Sequence, residues 1–170
     1  MADYDPVGML RTLVAHHIEF VVIGGVGARL RGAPLLTQDL DVTPRRSHPN
    51  LVAVAAALGE LEARLRTSTE PEGVAFPVTP ELLGAASSWT LTTSLGDLNL
   101  VLEPAGTRGY EDLIEQADQL RVASDPPLIV WVASLADIIR SKQATGRAKD
   151  LASLPLLRET LDEIDRNQRR

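Results

Sequence analysis

Cysteine is missing from all 170 residues. That excludes a disulfide framework and a thiolate zinc site, and it fits a reducing, cytoplasmic location. No apolar run approaches the roughly 18 residues that would cross a bilayer, so no membrane partner is expected. The first residues lack the basic segment, apolar core and small-residue cleavage site of an export signal, and none is expected. Positive charge is in short supply too. With 17 Lys and Arg against 23 Asp and Glu the net charge is −6, which argues against a protein that coats nucleic acid non-specifically, because such binding rests on neutralised phosphates. There is no low-complexity tract. What remains, 44% hydrophobic and 24% charged, is the composition of a soluble globular chain, and its length suits one continuous domain over residues 1–170.

The chain is organised around Val21-Val22-Ile23-Gly24-Gly25 and, a dozen residues on, Thr37-Gln38-Asp39-Leu40-Asp41-Val42. An apolar run stops at a double glycine, a helical segment follows, and a short strand carries two aspartates one residue apart. Side chains alternate along a strand, so Leu40 and Val42 face one way while Asp39 and Asp41 face the other together. Two carboxylates about 4 Å apart repel by about 1 kcal/mol in water and about 4 kcal/mol near a protein surface. A magnesium ion, which takes oxygen ligands and shares them between carboxylates and substrate phosphates, would relieve that repulsion. The competing reading is a surface hairpin whose aspartates are merely solvated. Gly24-Gly25 lets the backbone turn tightly and present N–H groups to a phosphate. Arg29, Arg31, Arg45 and Arg46 flank the pair in sequence, where a phosphate-rich substrate would approach.

Along the chain, a helical stripe over Pro6 to Glu19 starts at Asp5-Pro6, a cap and first-turn pair, and ends in His16-His17, which lack a metal-ligand partner at i+4. A buried strand is expected over Phe20 to Ile23 and a helix from about Val26 to Leu30. A long alanine-rich helix follows over Leu51 to Leu65, then a Pro- and Gly-containing loop over Thr67 to Thr79. Trp89–Thr93 and Asp97–Leu102 read as a β-hairpin, with Leu98, Leu100 and Leu102 on the core face and Asp97, Asn99 and Val101 on the other. A helix is expected over Tyr110 to Gln119 and a last apolar strand over Leu128 to Val132. Ser134 then caps a helix whose inward stripe is Leu135, Ile138, Ile139 and Lys142. A lysine on that stripe either snorkels to water or reaches a phosphate. Glu159 to Arg170 is a charged helix end.

The double glycine, helix and Asp39-Leu40-Asp41 resemble the nucleotidyltransferase superfamily, whose motif is a Gly-Gly or Gly-Ser turn, a helix and Asp-x-Asp on the next strand. Lys142 together with Gly146-Arg147-Ala148-Lys149-Asp150 resembles the C-terminal signature of the branch that holds abortive-infection and MenT-type nucleotidyltransferase toxins. The resemblance spans Ile18 to Leu157. It implies an α/β nucleotidyltransferase fold, a small mixed β-sheet with helices packed on it. It also implies magnesium or manganese on Asp39 and Asp41, and an NTP, CTP or UTP favoured, held by Gly24, Gly25, Arg31, Thr37, Lys142 and Arg147. Asp150 would be needed for activity. Relatives carry a third metal-binding acid where this chain has Asn99, which leaves three readings open: Asp97 as the third ligand, Asn99 as a weaker neutral one, or a site with fewer carboxylates. The implied activity is transfer of a nucleotide from an NTP to the 3′ end of tRNA by a growth-inhibiting toxin with a cognate antitoxin. A small-molecule or protein nucleotidyltransferase and a catalytically silent binding module stay open beside it.

Overall fold

A computed structural model describes residues 2–170. Asp5 Oδ1 accepts a hydrogen bond from the Gly8 amide at 2.8 Å, which caps α1 (Pro6–Ala15) as the Asp-Pro pair predicts. The helix ends four residues before Glu19, because His17 takes a left-handed φ of 56° and turns the chain into β1 (Phe20–Ile23). All four residues of β1 are buried. Next come α2 (Gly24–Leu30), β2 (Asp39–Pro44), α3 (His48–Glu60) and β3 (Arg64–Leu65). The rest is α4 (Pro80–Gly84), β4 (Ser88–Thr93), β5 (Gly96–Val101), α5 (Tyr110–Leu113), a 3-10 turn over Ile114–Gln116, β6 (Asp118–Ser124), β7 (Pro127–Val132), α6 (Leu135–Thr145) and α7 (Ala148–Gln168).

The strands form one seven-stranded mixed sheet in the order β3-β4-β5-β2-β1-β7-β6. β1 runs parallel to β7 and antiparallel to β2, and β2 runs parallel to β5. The fold is thus mixed α and β, with helices packed on the sheet. Alternation along the strands builds two cores. Leu40, Val42, Leu98 and Leu100 join Met9, Leu10 and Leu13 of α1 and Val54 and Leu58 of α3 in one. Val21 and Ile23 join Leu113, Ile138, Ile139 and Leu157 in the other. Among the described residues no helix is long and apolar enough to cross a membrane.

Three further expectations are corrected. α2 begins at Gly24 instead of Val26, so the double glycine is the first turn of the helix. The alanine-rich helix starts at His48, with Pro49 in its first turn, and stops at Glu60. Glu62, at φ 53°, then reverses the chain, and Leu65 pairs with Leu91 as part of a strand. The expected Tyr110–Gln119 helix is one α-turn and a 3-10 turn; Ala117 goes extended and Asp118 onward pairs with β7. That hairpin gives the stretch Leu120-Arg121-Val122 a partner for its period-two pattern, which wins over weak helix propensity. α4, in a stretch where the sequence predicts no element, lies just beyond the expected loop, with Thr79 Oγ1 accepting from the Leu82 amide at 3.2 Å.

Candidate active site

Register across the sheet sets the site. Ile23 pairs with Asp41, Asp41 with Asn99 and Asn99 with Thr90. Directly paired residues share a face, so these four side chains form a row, and Asp39, Asp97 and Thr92 form the next one. This face is the one that α6 and α7 cover over β1. Their cover ends beside Asp41, and an open cleft of about 860 Å³ runs on over β2, β5 and β4. A smaller cavity of about 130 Å³ continues from Asp41 under α6, walled by Ile23, Val101, Leu113 and Ile138. Asp41, Lys142, Arg147 and Asp150 border both spaces.

The two glycines have distinct reasons. Gly24 has φ 64°, and a methyl group on it would overlap Asp41 Oδ2, so glycine is required both by conformation and by the closeness of the carboxylate. Gly25 has no positive φ, but a methyl group there would lie 2.8 Å from Thr37 Cβ. Thr37 is thereby packed under the helix start, and its hydroxyl donates to the Asp39 main-chain oxygen at 3.1 Å and to Asp39 Oδ1 at 3.2 Å. Thr37 positions the aspartate and also borders the open cleft.

Asn99 lies between the carboxylates. Its Nδ2 donates to Asp39 Oδ2 at 2.9 Å and to Asp41 Oδ1 at 2.7 Å. Burial, and then the charge of Asp39, push the Asp41 carboxyl up to about 6, with Asn99, Lys142 and Lys149 pulling the other way. Two adjacent carboxylates, one driven toward protonation, are a donor set suited to a hard divalent cation that brings water or phosphate oxygens of its own. No cluster of three or more His, Cys, Asp or Glu side chains fit for a metal occurs among the described residues. Asp97, one of the two expected third ligands, lies one pleat away with Oδ2 3.4 Å from Arg66 Nη1, and the open cleft does not include it.

The C-terminal signature arrives from a hundred residues further along the chain. α6 is capped by Ser134, whose hydroxyl accepts from the Asp137 amide at 3.1 Å, and its stripe carries Lys142 to the cleft with 18% of its side chain exposed. Gly146, in the left-handed region at φ 68°, ends α6 and starts an exposed elbow into α7. Asp150, at 2% exposed, accepts from Arg147 Nε at 2.7 Å and from Lys142 Nζ at 3.5 Å. Burial works against its charge, but the Arg147 hydrogen bond and the two cations outweigh it and hold its carboxyl below the usual range. Asp150 is therefore not a partner of Asp39 and Asp41. It fixes the two cations beside them.

Of the other residues expected at the site, Arg31 is elsewhere. Its guanidinium donates to the Val132 and Ala133 carbonyls at 2.7 and 3.0 Å and to Asp118 at 2.7 Å, tying α2 to the end of β7. Arg29 borders a separate apolar pocket beside α1, and Arg45 lies over the Tyr110 ring at 4.7 Å. Two cleft cations were missed. Lys149 sits inside the Gly-Arg-x-Lys-Asp run and could have been found there; Arg66 had no local signal, since β3 places it. Compared with known proteins, the chain matches no family model and no curated protein.

Proposed function

We propose that this chain is a metal-dependent nucleotidyltransferase that joins the nucleotide of an NTP to a hydroxyl acceptor. One observation carries the reading: a strand pair of carboxylates (Asp39, Asp41) and a cation pair on a buried acid (Lys142 and Arg147 on Asp150) border the same cleft, although the two groups are remote in sequence. The carboxylates suit a divalent ion and the cations suit a triphosphate.

Asp39 and Asp41 would hold magnesium or manganese, which when bound supplies charge neutralisation at the phosphates. Thr37 fixes the direction of the Asp39 carboxylate, and Gly24 leaves room for that of Asp41. Lys142 and Arg147 meet the triphosphate as a point charge and a planar fork, and Asp150 keeps both in place. The acceptor oxygen attacks the α-phosphorus, the bond to the β-phosphate bridging oxygen breaks, pyrophosphate leaves and the hydroxyl proton passes to water. Positioning and charge compensation supply most of the acceleration in such a displacement. By the resemblance of the Lys142–Asp150 signature, the acceptor is the 3′ end of tRNA, the donor CTP or UTP, and the setting a cytoplasmic toxin restrained by an antitoxin.

Incubation of the purified chain with each labelled NTP, magnesium and either total RNA, small hydroxylated molecules or protein tests the proposal. Label in the tRNA band, absent in Asp41→Ala, is the expected result. Label in another acceptor class moves the reading to a small-molecule or protein nucleotidyltransferase. Transfer by Asp41→Ala at the wild-type rate overturns the site. A second reading, a catalytically silent binding module, is favoured by Asn99 at the position of the third acid, and it expects nucleotide binding with no label transferred anywhere.

A further inference from the structure

The oxygens of the aspartate pair can be accounted for one at a time. Asp39 Oδ1 accepts from Thr37 Oγ1 at 3.2 Å. Asp39 Oδ2 and Asp41 Oδ1 both accept from one nitrogen, Asn99 Nδ2, at 2.9 and 2.7 Å. Asp41 Oδ2 packs on Gly24. The other end of the amide, Asn99 Oδ1, is buried with no hydrogen-bond partner. Only the NH₂ end of a carboxamide can face two carboxylates, so the orientation is dictated by chemistry. The amide gives both its hydrogens to the acids and leaves its own carbonyl unsatisfied, an arrangement that the negative charge of the pair alone explains.

A cation held by Asp39 and Asp41 would compete for the carboxylate oxygens that the Asn99 NH₂ group now engages, and the positive end of an N–H dipole repels a cation. Asn99 has to turn away before the ion can enter, giving up two charge-assisted hydrogen bonds. We infer that Asn99 is a positioning residue that stands in for the cation, so that free metal binds weakly and the ion enters together with the phosphates of its nucleotide. This rests on the reading of Asp39 and Asp41 as cation ligands. It differs from the expectation that Asn99 is itself a ligand, and the difference has a sign: removing a ligand weakens metal binding, whereas removing a competitor strengthens it. The triphosphate adds the oxygens that two carboxylates lack and repels the carboxylates unless a cation lies between them, so nucleotide and ion displace the amide together.

Manganese binding, read from the electron-spin resonance signal of the free ion, tests this on wild type and Asn99→Ala, each with and without α,β-methylene CTP and UTP. Without nucleotide, Asn99→Ala is expected to bind Mn²⁺ at least about tenfold tighter than wild type, the effect of removing one strong competing interaction. With the analogue present, both proteins are expected to bind Mn²⁺ tighter and the gap to persist, since each gains the same phosphate ligands and wild type must still turn the amide away. Tighter binding by wild type overturns the inference and makes Asn99 a ligand, leaving the cation site standing. Binding by neither protein under any condition overturns the cation site as well. Should Asn99→Ala not fold, the wild-type side-chain amide decides by NMR: its Asn99 NH₂ protons are expected to exchange slowly without metal and to lose that protection with Mg²⁺ and the analogue. Unchanged protection with both bound overturns the inference.

Discussion

Asp41 and Asp150 pull the stability of the chain in opposite directions as pH changes. The Asp41 carboxyl is raised to about 6, against about 3.9 in an unfolded chain. Well below pH 4 both states carry the proton and nothing is lost, and the penalty builds up between about pH 4 and pH 6. As pH rises through 6 the folded state must ionise against burial and Asp39, and two pKa units correspond to about 3 kcal/mol. Asp41→Asn should therefore stabilise the fold by up to about that amount at pH 8 and not at pH 4, as read by urea unfolding across pH; an equal gain at both would locate the effect elsewhere. Asp150 is lowered instead, so its contribution is present above the ordinary carboxylate range and lost as pH falls through its folded value. Asp150→Asn should cost about 1–3 kcal/mol at pH 7, below the cost of breaking a fully buried pair because Arg147 is largely exposed, and little in acid. Lys142 is a different case, because Arg147 still holds Asp150 without it. Lys142→Ala should lower transfer about ten- to a hundred-fold with little change in melting temperature, the size expected for one charge-assisted hydrogen bond to a phosphate. Lys142→Arg should not fully restore it, and a fully active Lys142→Met would remove the ammonium from the mechanism.

The junction of β1 and α2 is where chain geometry becomes site geometry. Gly24→Ala meets two obstacles, a left-handed φ and the Asp41 carboxylate, whereas Gly25→Ala meets only Thr37. We expect Gly24→Ala to abolish transfer and destabilise by more than about 1 kcal/mol. Gly25→Ala should be partly rescued by Thr37→Gly, and Gly24→Ala should not; steady-state transfer and thermal unfolding of the three variants check this. The elements legible in the sequence were those with one dominant local signal: the capped starts of α1 and α6, the apolar β1 and β7, and the β4–β5 hairpin with Leu98 and Leu100 inward. Asp39 and Asp41 were legible because alternation alone puts them on one face. What the sequence hid was non-local. β6 needed β7 to select strand over helix, β3 needed β4 to end α3 early, and the use of Arg31 on the carbonyls of β7 depends on a neighbour a hundred residues away. In sequence Asn99 reads as a departure in a ligand position, but its role as a bridge between two acids exists only once β2 and β5 are in register.

At the scale of the whole molecule, a net charge of −6 coexists with a cleft bordered by Arg66, Lys142, Arg147 and Lys149. Repulsion from the acidic surface and attraction at this one place would direct a polyanion to the cleft. The elbow at Gly146 puts Arg147 on an exposed bend and Lys149 in the exposed first turn of α7. Basic residues on an exposed bend are also the bonds that trypsin cuts. The cleft thus carries a built-in footprint of its own occupancy, readable without any turnover. Magnesium with a non-hydrolysable NTP should slow tryptic cleavage after Arg147 and Lys149, followed by mass spectrometry, while cleavage after Arg169 at the far end of α7 proceeds at its former rate.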